Sequence, residues 1–540
     1  MILPMRNRTP IIYLFAVILT VFAGTAFATD RALVLKSICS EDFSEQRSAL
    51  ANLAEAGALG DANTAIWAKT VVDSFEKRTL RCGDTIAVID ASSKILSATS
   101  LDTLTDVELS DYKKPSVNLR LRATAASAAA VLRLFTEANA DARLSAASRL
   151  DKRREAVNAN IIASALERER NSQVIETLKG LYSSLLLSDP DPEKRIAAIA
   201  AISADATMRN RTTISQFLEK ETDKKVLERG QSALTGIDRI LAVGKVLSIL
   251  YSGLSYASVL LLAALGLGII FGLMGVINLA QGELIMIGAY AAWFTQEALR
   301  IIAPNLLDYY LIAAIPVSFL AASLVGLLME VLVIRRLYDR PLMTLLATWA
   351  ISILLINAVR VTVGSQNLEF FQPSYVSGGY SVLGDFILTT NRLFAISVAM
   401  VAFIAVIVIL HKTLFGMNLR AVTQNRAMSD AIGIDTRSTD RLAFALGSGL
   451  AGLAGLALST LYNVNPNMGA NFIVDSFMVV VLGGVGSLLG SWLAALGIGQ
   501  INVVIEPLYG AVAAKVFVLI LVITFIQWRP EGLFAQKGRK

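Results

Sequence analysis

The sequence predicts an all-α protein: a polytopic helical membrane bundle of about nine spans, with eight to ten compatible with the pattern, preceded by an exported, mainly helical domain. Three observations carry this prediction. From about residue 246 to 528 the chain is mostly long apolar segments, and one crossing of a bilayer takes roughly 20 residues. Up to about residue 240 it is instead Ala-rich and densely charged, so whole-chain averages (540 residues, 54% hydrophobic, 17% charged, mean hydropathy +0.58) conceal at least two domains. Third, the polar sequence Val276-Ile277-Asn278-Leu279-Ala280-Gln281-Gly282-Glu283 interrupts an apolar tract running from about Val246 to Phe294.

The first residues read as a secretory signal over 1–28. Arg6 and Arg8 give a positive start, Ile11 to Phe22 an apolar core, and Ala26-Phe27-Ala28 a cleavage site. An uncleaved anchor is the alternative, although the apolar core is short for a span. Cleavage would export the domain over 29–240. Its two cysteines, Cys39 and Cys82, form a disulfide candidate, because an oxidising compartment and an even count favour one bond; two free or buried thiols are the alternative. Segments Ala51–Lys69, Ala123–Phe135, Glu155–Glu169, Ser172–Leu187 and Pro192–Ala204 carry apolar residues at helical spacing. Asp191 is placed to cap the helix that Pro192 opens. Short helices between polar turns predict stacked pairs in the manner of an α-solenoid, without an evident fixed period. Thr79–Ser97, with Ile86, Val88, Ile95 and a Gly83-Asp84 turn, is read as a small β-hairpin. No metal-ligand cluster or nucleophile-base pair is present, and the chain's one histidine, His411, ends a membrane segment. A docking or accessory role follows for this domain rather than catalysis.

The membrane domain, 246–540, has apolar segments near 247–274, 283–298, 309–334, 341–363, 393–411, 441–462, 473–489, 490–508 and 511–528. Basic residues on short loops mark the cytoplasmic side. Arg335, Arg336 and Arg340 lie on one such loop, Lys412, Arg420, Arg426, Arg437 and Arg441 on another, and Arg529, Lys537, Arg539 and Lys540 on the tail. Gly364–Asn391, with Glu369 and Asp385 and neither Lys nor Arg, is external. An external N-domain and a cytoplasmic C-terminus need an odd number of crossings, which nine satisfies. The net charge of +6 is the ordinary excess of cytoplasmic Lys and Arg in a membrane protein, and no nucleic-acid partner is implied.

Backbone that leaves the helix at membrane depth survives only where protein or a water-filled cavity satisfies it, and a carboxylate there is expensive. Asn278, Gln281, Gly282 and Glu283 are therefore candidates for a substrate pathway; the alternative places Glu283 at the cytoplasmic interface, where a charge costs little. Gly483, Gly484 and Gly486, in the run Leu482 to Ser487, mark a second bend or broken helix and join the candidate pathway. Gly447, Gly449, Gly452 and Gly455 are read as close helix packing. Glu330 and Arg335 are spaced for a local ion pair. The loop 412–440 suits a short amphipathic helix ending at Gly433, a surface on which a partner could act. The phosphate loop G-x-x-x-x-G-K-[ST] is absent from the sequence, so this chain is not itself the ATPase.

Taken together, Gly275–Glu283 with Met286–Tyr290, Gly416–Asp435, and Val481–Gly490 with Trp528–Phe534 resemble the permease subunits of ABC importers for branched-chain amino acids. The stretch Leu346-Ala347-Thr348-Trp349 to Gly364-Ser365-Gln366-Asn367, and the long exported domain, bring the resemblance nearest to urea permeases of that family. The resemblance covers about 247–540. It implies a transport subunit, not an enzyme, in the cytoplasmic membrane. Its partners would be a second permease, two ATP-binding subunits and an external substrate-binding protein, with membrane lipid around it. It needs no cofactor of its own, since ATP is bound by the partners. Arg420, Ala421, Gln424, Asn425, Ala431, Gly433 and Ile434 would form the contact with the ATPase. Urea is the expected cargo. The same importer carrying branched-chain amino acids or short amides, or an ATP-independent urea or amide channel, are the alternatives.

Overall fold

The computed structural model describes residues 31–89, 94–104, 112–338 and 340–534. The expected signal segment and the tail residues Lys537, Arg539 and Lys540 lie outside them. The chain divides into two compact units, Met1–Asp238 and Arg239–Lys540.

In the N-terminal unit, α1 (Arg31–Ile38), α2 (Phe43–Leu59) and α3 (Ala62–Glu76) precede a small sheet of β1 (Leu80–Arg81), β2 (Ala87–Ile89) and β3 (Ile95–Ser97). The expected hairpin is thus a three-stranded antiparallel sheet, because Leu96 also pairs across to Val88. There follow α4 (Leu119–Thr136), α5 (Ala140–Asp151), α6 (Ala159–Arg168), α7 (Ser172–Leu186), α8 (Pro192–Ser203) and α9 (Met208–Leu218). Asp and Asn at the starts satisfy the free N–H groups of the first turn: Asp61 accepts from Thr64 at 2.9 Å, and Asp191 from Glu193 at 3.0 Å with Pro192 behind it. Helices α1 to α7 bury residues including Leu132, Ala147, Leu150, Ile162 and Leu178 in one shared core, and α8 and α9 bury Ile199, Ile202 and Ile214 beyond it. Cys39 and Cys82 are disulfide-bonded, tying the end of α1 to the sheet.

A repeat that the sequence reading missed lies in the loops. Arg143, early in α5, pairs with Glu169 after α6 at 2.7 Å, and Arg195, at the same place in α8, pairs with Glu221 after α9 at 2.8 Å. Both pairs are 26 residues apart. Both arginines also donate to two loop carbonyls, those of Glu137 and Ala138 and those of Asp189 and Pro190. Both glutamates accept from the two N–H groups that follow them. The apolar residues between vary freely, and that hides the period.

In the second unit, the nine expected apolar segments each correspond to a helix. These are α10 (Lys224–Met274, which begins in the first unit), α11 (Gln281–Ile302), α12 (Tyr310–Leu332), α13 (Pro341–Thr362), α14 (Thr390–Lys412), α17 (Thr436–Ser459), α18 (Ala470–Gly483), α19 (Leu488–Tyr509) and α20 (Ala511–Trp528), with α15 (Leu414–Gln424) and α16 (Arg426–Ala431) between α14 and α17. Among the described residues, seven helices are long and apolar enough to cross a membrane, against the eight to ten expected. The two others differ for physical reasons. Helix α18 is shorter than a crossing, and α11 carries Gln281, Glu283, Gln296, Glu297 and Arg300. Helix α17 packs through its glycines at the centre: a Cβ on Gly447 would lie 2.7 Å from the Gly266 carbonyl oxygen, and Ser323 on α12 donates to the Ala445 carbonyl at 2.8 Å. The loop after α13 carries an antiparallel hairpin, β4 (Gly379–Leu383) and β5 (Phe386–Thr389).

Candidate functional site: a broken helical hairpin

Helix α10 ends because Gly275 turns left-handed (φ 72°), a conformation open to glycine, and the backbone then runs without helix, through a turn at Leu279-Ala280, to α11. Its freed polar groups are met by side chains of the same break and of α13, and the break in turn donates to a backbone carbonyl of α17. Asn278 accepts from the Ala280 N–H at 3.0 Å and donates to Gln281 at 3.2 Å. Gln281 donates to the Gly447 carbonyl at 3.3 Å, and the Leu279 N–H donates to Thr348 at 3.2 Å. Asn278, Gln281 and Thr348 are each at most 1% exposed. Glu283 follows in the first turn of α11, where the helix dipole favours a negative charge. It is 4% exposed, and Ser352 donates to its carboxylate. Its Oε2 atom has no hydrogen-bond partner among the described residues. Gly282 lets the backbone of 469 approach: a Cβ there would lie 2.8 Å from the Gly469 carbonyl oxygen.

The second glycine run goes elsewhere. Gly483 ends α18, and Gly484 and Gly486 take φ of 95° and 85° before Ser487 caps α19. The tail is pinned there, with Leu533 N–H donating to Leu482 at 2.9 Å and Phe534 N–H to Gly483 at 3.3 Å. A Cβ on Gly272 would lie 2.7 Å from the Gly486 nitrogen. The structure thus gathers Asn278, Gln281, Gly282 and Glu283 into one cluster and Gly483, Gly484 and Gly486 into another, beside the tail and the end of α10.

Helices α15 and α16 form a surface of their own. Arg420, Gln424, Asn425, Ala431 and Gly433 are exposed, Ala421 and Ile434 half-buried. Asn425 caps α16 through Met428 N–H at 3.0 Å, and Gly433 has φ 90°. Arg426 pairs with buried Asp440 and lies 5.0 Å over the Tyr338 ring, fastening α16 to α17. Met417, Met428 and Ile432 leave more than half of their surface exposed.

Residues 249–526 match the family described as branched-chain amino acid transport system, permease component. That is more than half of the chain. The chain belongs to the branched-chain amino acid ABC transporter permease family. It is 26% identical over 291 residues to BraD of Pseudomonas aeruginosa, named a high-affinity branched-chain amino acid transport system permease protein; the alignment covers 53% of this chain and 95% of BraD. It is 28% identical over 299 residues to the LivH protein of Escherichia coli K12, which bears the same description, covering 52% and 95%. A probable LivH of Methanocaldococcus jannaschii is 28% identical over 309 residues, covering 54% and 93%. No solved structure matches significantly.

In this permease the sequence reading missed Asp475. It is fully buried in α18 and accepts from the Tyr256 hydroxyl of α10 at 3.1 Å, while its Oδ1 has no partner among the described residues. The signal was available, since a lone carboxylate inside the segment 473–489 is as costly as Glu283. Ser352 and Gly469 gave no such signal, because a serine or glycine in an apolar run is unremarkable until its neighbour is known.

Proposed function

We propose that this permease forms the path for urea in an ATP-driven importer. It would work with a second permease, two ATP-binding subunits and an external binding protein, with its N-terminal unit outside and its C-terminus in the cytoplasm. One observation carries the choice of cargo. Among the described residues, the buried charged side chains of the membrane unit are Glu283, Glu330, Asp440 and Asp475, with no buried lysine or arginine. These acids could meet the ammonium of a zwitterionic amino acid, but no buried cation among the described residues meets its carboxylate, which would be desolvated unpaired. Urea is neutral and offers N–H donors to the open oxygens of Glu283 and Asp475 and a carbonyl to amide donors. The N-terminal unit supports the same reading, because the amino acid relatives match little more than half of this chain. The exposed methionines and isoleucine of α15 and α16 are suited to an ATPase groove, and their link to α17 through Arg426 would carry its motion into the bundle.

Labelled-urea uptake at micromolar external urea, by cells with and without this chain, tests the cargo. Loss of urea uptake with leucine uptake intact is expected; loss of leucine uptake alone would assign the amino acid cargo instead. Arg420→Glu should abolish uptake in a motor-driven permease, and an uptake that survives both it and ATP depletion would mean a passive channel.

A further inference from the structure

The end of the bundle away from α15, α16 and the tail holds a cavity of about 300 Å³ that the broken hairpin does not account for. Tyr256, Asn463, Asn471, Asn502, Glu506 and Lys515 line it, all from the membrane unit. Asn502 is only 3% exposed, yet its Nδ2 atom has no acceptor among the described residues. A buried amide donor left unsatisfied is destabilising, so a donor held at such a wall is held for something that comes and goes. Beside it, Tyr256 carries the link to Asp475, whose second oxygen is also open. Lys515 is already engaged, donating to the Asn471 carbonyl at 2.8 Å. Glu506 thus faces one engaged cation across the cavity, with the second acid, Asp475, buried behind Tyr256, and a carboxylate ligand is disfavoured.

We propose that this cavity is a binding site for a small neutral amide, with Asn502 donating to its carbonyl and the carboxylate of Glu506 accepting its N–H. The inference rests on the urea reading above and extends it to a second place on the path. Met468 and Asn471, which line the cavity, flank Gly469–Ala470, and Gly469 is the residue packed against Gly282 beside Glu283. A solute leaving the cavity therefore meets a contact of two glycine backbones and then a second open carboxylate. The cavity is a waiting site, and the Gly282–Gly469 contact is the constriction that motion of the bundle opens.

Native cysteine chemistry makes the test clean, since the chain's two cysteines are bonded to each other. Asn471→Cys places the sole free thiol at the cavity wall. In the assembled importer, millimolar urea should slow maleimide labelling of this thiol at least about threefold, whereas glycine and acetate should not. Adding Asn502→Leu, or the isosteric Asn502→Asp, should remove the protection while the complex elutes and unfolds as before. Labelling indifferent to urea, or protection that persists in both Asn502 variants, would overturn the site. Uptake by the same preparation separates the two readings: urea import without protection sinks the site alone, and import of leucine but not urea sinks both.

Discussion

In the N-terminal unit, Glu169 and Glu221 are each held by an arginine and by two backbone N–H groups, and no oxygen of either is left open. In the membrane unit, Glu330 and Asp440 are treated the same way, by Arg335 at 3.3 Å and by Arg426. Glu283 and Asp475 are not: each is buried, receives one hydroxyl, and keeps one oxygen without a partner among the described residues. The difference teaches how to read a buried carboxylate. Where the fold can supply an arginine, the acid fastens helices. Where it supplies only a hydroxyl and stops, one oxygen stays open, and that of Glu283 lies in the first turn after the break that ends α10.

The largest effect expected from breaking a fastened pair is on stability. Arg143→Ala leaves a part-buried carboxylate without its charged hydrogen bonds, at about 1.5–3 kcal/mol, so it should raise hydrogen exchange in residues 137–175 of the full chain roughly thirtyfold. The pair also sets an acid limit. Hydrogen bonding from Arg143, against burial, holds the Glu169 carboxyl at about 2, below its ordinary 4.5. A depressed carboxylate contributes stability above its unfolded pKa and loses it as pH falls, so protection in this unit should decline between about pH 4.5 and 2. In Arg143→Ala that decline should flatten; an unchanged acid profile would mean that Glu169 is not fastened by Arg143. A smaller effect, about tenfold, is expected from Arg426→Ala, which loosens α16 from α17: the maximal uptake rate should fall while half-saturation stays put. Should half-saturation shift instead, α16 would belong to solute recognition rather than to coupling. Smallest is the exposed pair Arg300–Glu297, one helical turn apart, where Arg300→Ala should leave unfolding and uptake unchanged.

Much of this was legible along the chain, because periodicity and composition are local. The nine apolar segments, the break at Gly275–Glu283 and the cap at Asp191-Pro192 all announce themselves within a few residues. The partners of the break do not. Thr348 reaches Leu279 across 69 residues, and Tyr256 reaches Asp475 across 219, so neither pairing leaves a spacing to read. The Gly483–Gly486 run was visible as a bend, but its attachment to the tail is a tertiary fact. The repeat in the N-terminal unit escaped because it is written in one arginine and one glutamate per turn of the stack, among interchangeable Ala, Leu and Ile.

The open oxygen of Glu283 is the claim on which the rest turns, and Glu283→Gln tests it directly, since it preserves size and hydrogen bonding while removing the charge. In the assembled importer, the maximal rate of urea uptake should drop about tenfold or more with the thermal unfolding midpoint unchanged. Uptake at the native rate, or a lowered midpoint that accounts for the whole loss, would make Glu283 a structural acid like Glu169 and contradict the account.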